Sequence, residues 1–467
     1  MTNPGLLLKR AAPFALAIGI WFAPVPAGLT AQAWHLFATF AAAIVAVLLG
    51  AFPLLTSSMI AVAAVVLTGT ITPTQAFSGF ANSSVLLVMI AFIVAQAVVK
   101  SGLGRRISLF MVSRFGGSSL GLAYSIVLTD AAIAPAFPSN TARGGVLFPI
   151  VLSVAKGAGS NPDDPEGRRL GGYLMFCGMA SLAVSSALWM TATSANPVGV
   201  QIAQKFGLEI GFGSWILASC VPALIAIGML PLLVAKLFPP RVGATPEAPA
   251  AARKELAGMG KMSRDERITA ATFAVMVTGW VFAGALNLNV TSIAFMGFGV
   301  LLVAGVLKVE DIDIRGDTLA TFLWLAVLFA MSGQLNELGF MGYVGERLAS
   351  HLGGLSWPAT YVTLIVLYVG IHYLFVSQTS QVLALLGVFL DVGIRGGVPA
   401  PLMGFGLLFA SSYFSVITPQ GGSQNIIFAA SGYLTQRELY KLGFFTTLAF
   451  MAVFLLIGSP WVYFVTR

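Results

Sequence analysis

Phe137-Pro138-Ser139-Asn140-Thr141-Ala142-Arg143-Gly144-Gly145 breaks an apolar run that extends from Leu120 to Val154. Phe375-Val376-Ser377-Gln378-Thr379-Ser380 breaks a second, from Pro358 to Val392. Set against each other, the two tips read Ser-Asn-Thr and Ser-Gln-Thr. A helix broken inside an apolar medium exposes backbone groups, which is tolerated only against protein or a water-filled cavity. The freed N–H groups at the new helix starts can hold an anion, and freed carbonyls can hold a cation. Hydroxyls and amides beside such a break are neutral partners for a carboxylate that must bind and then leave. The alternative for Ser139, Thr141, Ser377 and Thr379 is that they only cap the restarted helices.

Outward from these tips, the chain is almost all apolar. Of 467 residues, 57% are hydrophobic and 9% charged, against about 25% charged in soluble domains; mean hydropathy is +0.90. Lipid is the solvent for such a chain, and continuous apolar runs of about 20 residues without alternation read as helices. Spans are predicted at Pro13–Val25, Ala33–Leu49, Leu54–Leu67 and Val85–Val99, then a basic amphipathic piece, Arg105–Phe115. The first broken run follows, then an interrupted span, Gly171–Val200, and Trp215–Leu237. After a Pro-, Ala- and charge-rich linker the order returns: Ile268–Ala285, Ile293–Val306, Leu319–Leu335, the amphipathic Gly342–Leu352, the second broken run, the interrupted Pro401–Ala430 and Leu442–Val465. The fold predicted is an all-α polytopic membrane protein of about 11 transmembrane helices and two re-entrant helical hairpins, in two inverted repeats. Residues 1–30 hold the first helix, 31–238 the first repeat with a cytoplasmic-side hairpin (118–156), 239–267 a cytoplasmic linker, and 268–467 the second repeat with an outer-side hairpin (356–394). Paired interrupted segments in two halves are the sequence mark of a transporter's binding site.

Charge orients this layout. With the N-terminus inside, cytoplasmic segments carry Lys9, Arg10, Lys100, Arg105, Arg106, Arg114, Lys156, Arg168, Arg169, the linker's basic residues, Lys308, Arg315, Arg437 and Lys441. Lys205, Arg347, Arg395 and Arg467 remain outside, as the positive-inside rule expects. The net charge of +8 is therefore topological and does not imply nucleic acid. Lys9-Arg10, the apolar stretch to Ala23 and Ala31-Gln32-Ala33 resemble a signal peptide with its cleavage site, but the many spans that follow favour an uncleaved first helix. Cys177 and Cys220 lie in apolar runs and read as small core residues. No His/Cys metal cluster, nucleophile elbow or phosphate loop is present, which argues against an enzyme.

The segment Pro138-Ser139-Asn140-Thr141-Ala142-Arg143-Gly144-Gly145, with the layout of nearly the whole chain, resembles the divalent anion/sodium symporter family. It is most similar to the branch of citrate/succinate and tartrate/succinate exchangers and plastid dicarboxylate translocators. The resemblance implies a secondary carrier of di- or tricarboxylates such as succinate, malate, citrate, tartrate or 2-oxoglutarate. It also implies a homodimer in the bacterial inner membrane, in which a transport domain moves past a fixed scaffold. The implied substrate contacts are Ser139, Asn140, Thr141, Arg143, Ser377, Gln378 and Thr379 at the tips, with Thr193, Ser194, Thr418 and Pro419 from the unwound segments Thr193-Ser194-Ala195-Asn196-Pro197 and Thr418-Pro419-Gln420-Gly421-Gly422.

No cofactor is expected. Sodium, where relatives use it, would sit near Ser139, Asn140, Ser377 and Thr418. Here Gln378 replaces the family's Asn, and Pro135 and Tyr373 replace its sodium-binding serines. Proline and tyrosine are poor substitutes for a hydroxyl ligand. The reading is therefore exchange, with sodium symport as the alternative and an arsenite or sodium/proton carrier behind it. Arg143 supplies either a fixed positive charge at the site or a structural partner for Asp130, which could instead carry a proton. His372 is expected in a packed, hydrogen-bonded place.

Overall fold

The computed structural model describes residues 4–312, 317–351, 354–375 and 377–467. Arg315, Leu352 and Val376 of the sequence reading lie outside them. The described chain is helical apart from one isolated bridge, Ser118 to Ala244. Each predicted span is met by one helix or by a broken pair.

The helices sort into two packed groups. Pro4–Phe22, Ala31–Leu48, Leu54–Leu67 and Ser83–Ser101 associate with Arg264–Val281, Val290–Val303 and Asp317–Glu337. The second group holds the hairpins, the broken helices, Phe212–Leu237 and the last helix, which runs from Gln436 to Val465 through a π-turn at Phe454–Gly458. Two amphipathic helices, Leu103–Phe115 and Phe340–His351, bridge the groups. At the centre of the second group every residue from Leu170 to Ala187 is buried. Large apolar side chains such as Leu224, Val303 and Phe464 are exposed.

Two local differences from the sequence reading have simple causes. The first helix begins at Pro4 and carries Lys9, Arg10 and Pro13 inside it, because an apolar-run reading starts only where charge ends. The linker contains a helix, Glu247–Met259, whose run of Ala is a strong helix former. It lies on Leu103–Phe115, where Glu255 accepts from Arg105 Nε at 2.8 Å; beyond its end Glu266 pairs with Arg106 at 2.6 Å.

Each hairpin is two helices joined by an extended tip. In the first, Ser119–Ile133 and a 3-10 turn lead to Asn140–Gly157; in the second, Trp357–His372 leads to Gln378–Arg395. The broken spans are Arg168–Leu188 with Ala195–Gln204, and Ala400–Tyr413 with Ser423–Ala429. The first hairpin packs on Ser423–Ala429 and the second on Ala195–Gln204. Each hairpin thus meets the half-helix of the opposite repeat.

Candidate functional site

The two tips are built alike. Ser139 and Ser377 are extended N-cap residues, and their hydroxyls accept from Ala142 N at 3.2 Å and Ser380 N at 3.4 Å. Each serine thus caps its own restarted helix. The threonines two positions on do not. Thr141 Oγ1 is hydrogen-bonded to Ser423 Oγ, and Thr379 Oγ1 lies 2.9 Å from Ser194 Oγ. Between the tips, Asn140 Nδ2 donates to Gln378 Oε1 at 2.9 Å. The tip residues Asn140, Thr141, Gln378 and Thr379 therefore converge with Ser194 and Ser423 at one place.

The half-helices carry the same symmetry. Asn196 Nδ2 donates to the carbonyls of Ser186 at 2.7 Å and Trp189 at 3.2 Å. Asn425 Nδ2 donates to those of Ser415 at 2.6 Å and Thr418 at 3.0 Å. These bonds satisfy carbonyls released where each helix stops, and they match Ser194 with Ser423. Thr193-Ser194-Ala195-Asn196 is thus the counterpart of Gly422-Ser423-Gln424-Asn425. Sequence reasoning ended the second segment at Gly422 and missed Ser423 and Asn425; the shared Ser-x-Asn was the available signal. Thr418 Oγ1 caps Gly421 N at 2.9 Å, Pro419 opens that turn, and Thr193 is buried with a long contact to Ala195 N at 3.5 Å.

Arg143 is fully buried and lies behind the first tip. Its Nε stands 3.0 Å from Asp130 Oδ1, and Nη2 donates to Asn140 Oδ1 at 2.9 Å, Leu182 O at 2.8 Å and Ser186 Oγ at 2.8 Å. Of the two roles left open for it, the structure displays the pairing with Asp130, which accepts a further bond from Ser185. Paired in this way, Arg143 is not an uncompensated cation facing the tips.

In the second repeat a histidine is buried at the end of the hairpin's first arm. His372, 2% exposed, has Nδ1 2.6 Å from Gln381 Oε1 and Nε2 2.7 Å from the Gly421 carbonyl. Gln381 is oriented by its own Nε2, which donates to Tyr368 O at 2.9 Å. Both ring nitrogens face oxygens, so the imidazole is held from two sides.

Several oxygens near the tips are already hydrogen-bonded. Asn140 Oδ1 accepts from Arg143 Nη2 at 2.9 Å and lies 2.6 Å from Ser186 Oγ. The Pro135 carbonyl accepts from Thr191 at 3.0 Å, and the Phe414 carbonyl from the Tyr373 hydroxyl. Buried groups of both kinds are left over near the breaks: the donors Gln378 Nε2 and Gln424 Nε2 and the acceptors Asn196 Oδ1 and Asn425 Oδ1 have no protein partner among the described residues. Unpaired buried donors cost free energy unless an acceptor arrives.

The profile described as the sodium:sulfate symporter transmembrane region matches residues 5–466. The chain belongs to this family of multi-pass membrane transporters. It is 35% identical over 449 residues to YflS of Bacillus subtilis, provisionally named a malate transporter, covering 96% of this chain and 94% of that protein. It is 35% identical over 454 residues to the chloroplastic dicarboxylate transporter 1 of Arabidopsis thaliana (96% and 82%), and 31% identical over 474 residues to the citrate/succinate antiporter of Escherichia coli K12 (97% of each). The fold is shared with the crystal structure of the YdaH transporter of Alcanivorax borkumensis, at a TM-score of 0.58 over 84% of this chain and 88% of that one, with 16% identity.

Proposed function

We propose that this transporter exchanges di- or tricarboxylate anions across a bacterial inner membrane, without sodium, by alternating access at the paired hairpin tips. The observation that carries the reading is the crossed arrangement in which Thr141 meets Ser423 and Thr379 meets Ser194. These neutral donors, together with Gln378 Nε2 and Gln424 Nε2, suit carboxylate oxygens. The relatives named for dicarboxylates and for citrate and succinate support the same class.

Substrate charge sets the mode. A dianion brought to membrane depth is costly unless balanced. The N-terminal ends of the helices that restart at the tips, Asn140–Gly157 and Gln378–Arg395, supply fixed partial positive charge there. An empty carrier would have to move that charge uncompensated, which favours return with another anion. The helix group bearing the hairpins moves as the transport unit, the other group is the fixed scaffold of a homodimer, and the N-terminus and linker are cytoplasmic with the C-terminus outside.

The family's description names sodium, so the test includes it. Proteoliposomes preloaded with malate should take up labelled succinate or citrate at nearly the same rate in sodium and in choline, and empty vesicles should take up little. Sodium-dependent uptake into empty vesicles would overturn exchange and restore symport.

A further inference from the structure

We infer that Asn82 and Gln201 form a latch that holds the hairpin-bearing helix group against the other group in the present state, with no counterpart in the opposite state. The inference rests on the alternating-access reading.

Asn82 is the N-cap of helix Ser83–Ser101. Its Oδ1 accepts from Ser84 N at 3.0 Å and Val85 N at 3.2 Å, which fixes the amide and aims Nδ2 outward. That Nδ2 donates to Gln201 Oε1 at 2.5 Å, and Gln201 Nε2 returns a bond to Ser83 Oγ at 3.1 Å. Gln201 lies on the half-helix Ala195–Gln204, whose start carries Ser194. Ser83 is anchored in turn, since its carbonyl accepts from Thr291 at 2.9 Å. A two-way amide contact thus ties the site's own half-helix to the other helix group. Near the end of the same half-helix, Lys205 lies over the Phe329 ring at 5.8 Å, again across the boundary.

The repeats differ at this point. Matching Asn196 with Asn425 sets Gln201 against Ala430, which has no polar side chain, and the second half-helix ends at Ala429. In an inverted-repeat carrier the two states exchange the roles of the repeats. A bond present in one repeat only therefore favours one state. Exposure is asymmetric in the same sense: Ala142 beside the first tip is exposed, whereas its counterpart Ser380 is 2% exposed. A cavity of about 650 Å³ runs beside the first hairpin from Gly145 to Gly157.

The test uses cysteines at Ala142 or Ser380 in full-length protein carrying Cys220→Ser, in nanodiscs, with labelling rates read by a maleimide. Gln201→Met should raise the ratio of Ser380→Cys to Ala142→Cys labelling roughly tenfold, the order set by losing two half-exposed neutral hydrogen bonds. Asn82→Ser, which keeps a capping hydroxyl but cannot reach Gln201, should do the same, and the double variant should add nothing further. If malate shifts the ratio in the parent protein but neither substitution does, the latch is wrong and the carrier reading stands. If neither malate nor either substitution shifts it, alternating access itself fails, and the latch with it.

Discussion

Replacing Asp130 by Asn isolates the buried charge pair behind the first tip. The guanidinium of Arg143 has no exposed surface and, among the described residues, a single anionic contact, at 3.0 Å. At an effective dielectric near 20, that attraction is about 5 kcal/mol. The remaining contacts of Arg143 are neutral: Asn140, Leu182 and Ser186. Asp130→Asn keeps the bond to Ser185 but strands the cation, and breaking one side of such a pair costs about 3–5 kcal/mol. Arg143→Gln should cost a similar amount, so it does not leave the fold intact, contrary to a purely electrostatic role at the substrate. The double variant buries no charge and should recover to within about 1–2 kcal/mol of the parent. Reversible unfolding in mixed micelles, followed by tryptophan fluorescence, measures all three. Transport should not recover with stability, because Arg143 also fixes the Asn140 carbonyl that leaves Nδ2 free for Gln378. Single variants that each lose under about 1 kcal/mol, or a double variant that loses the sum of the singles, would refute the stranded-charge argument.

Other consequences are equally direct. Thr141→Val and Thr379→Val keep shape and remove the hydroxyls that meet Ser423 and Ser194; each should weaken apparent substrate affinity by about tenfold, the scale of one lost hydrogen bond to a charged group, and unchanged affinity in both would sink the site assignment. Ser423→Ala, at a position the sequence reading passed over, should match Thr141→Val in counterflow assays. Gly443→Ala would set a Cβ 2.3 Å from the Val416 carbonyl and 2.5 Å from Ile417 Cα; with backbone on both sides, about 1–3 kcal/mol of stability should be lost, seen as a lowered melting temperature. Cysteines at Lys254 and Arg467 should react with an impermeant reagent on opposite sides of the membrane, and labelling of both from one side would reject the eleven-span layout.

Much of the architecture was legible because lipid imposes a severe rule: every span must satisfy its own backbone, so apolar length and interruption map directly onto helices and breaks. Leu54–Leu67 appears in the structure with the bounds read from the sequence. The hairpin arms differ from their runs by a few residues, because the Pro-Ser-Asn-Thr and Ser-Gln-Thr tips announce where each helix restarts. The tip threonines were legible for the same reason, each being a polar residue repeated in register in a matching place.

Partnership was not legible. Whether Ser139 caps its own helix or faces the site depends on one extended φ at the tip, and a local sequence permits both. Ser423 lies in a segment read as ending at Gly422; only the carbonyls to which Asn196 and Asn425 donate reveal which residues of the two repeats correspond. The charge of Arg143 is the plainest case. Asp130 and Arg143 were each visible as ionisable residues at membrane depth, but whether they cancel depends on two helices of one hairpin folding back to within 3.0 Å. Composition and spacing determined that this chain is a twofold set of broken helices in lipid, since those properties are local and set by the solvent. Tertiary structure decided which polar groups neutralise one another and which are left for a substrate, since hydrogen bonds and ion pairs act at contact distance between segments far apart in the chain.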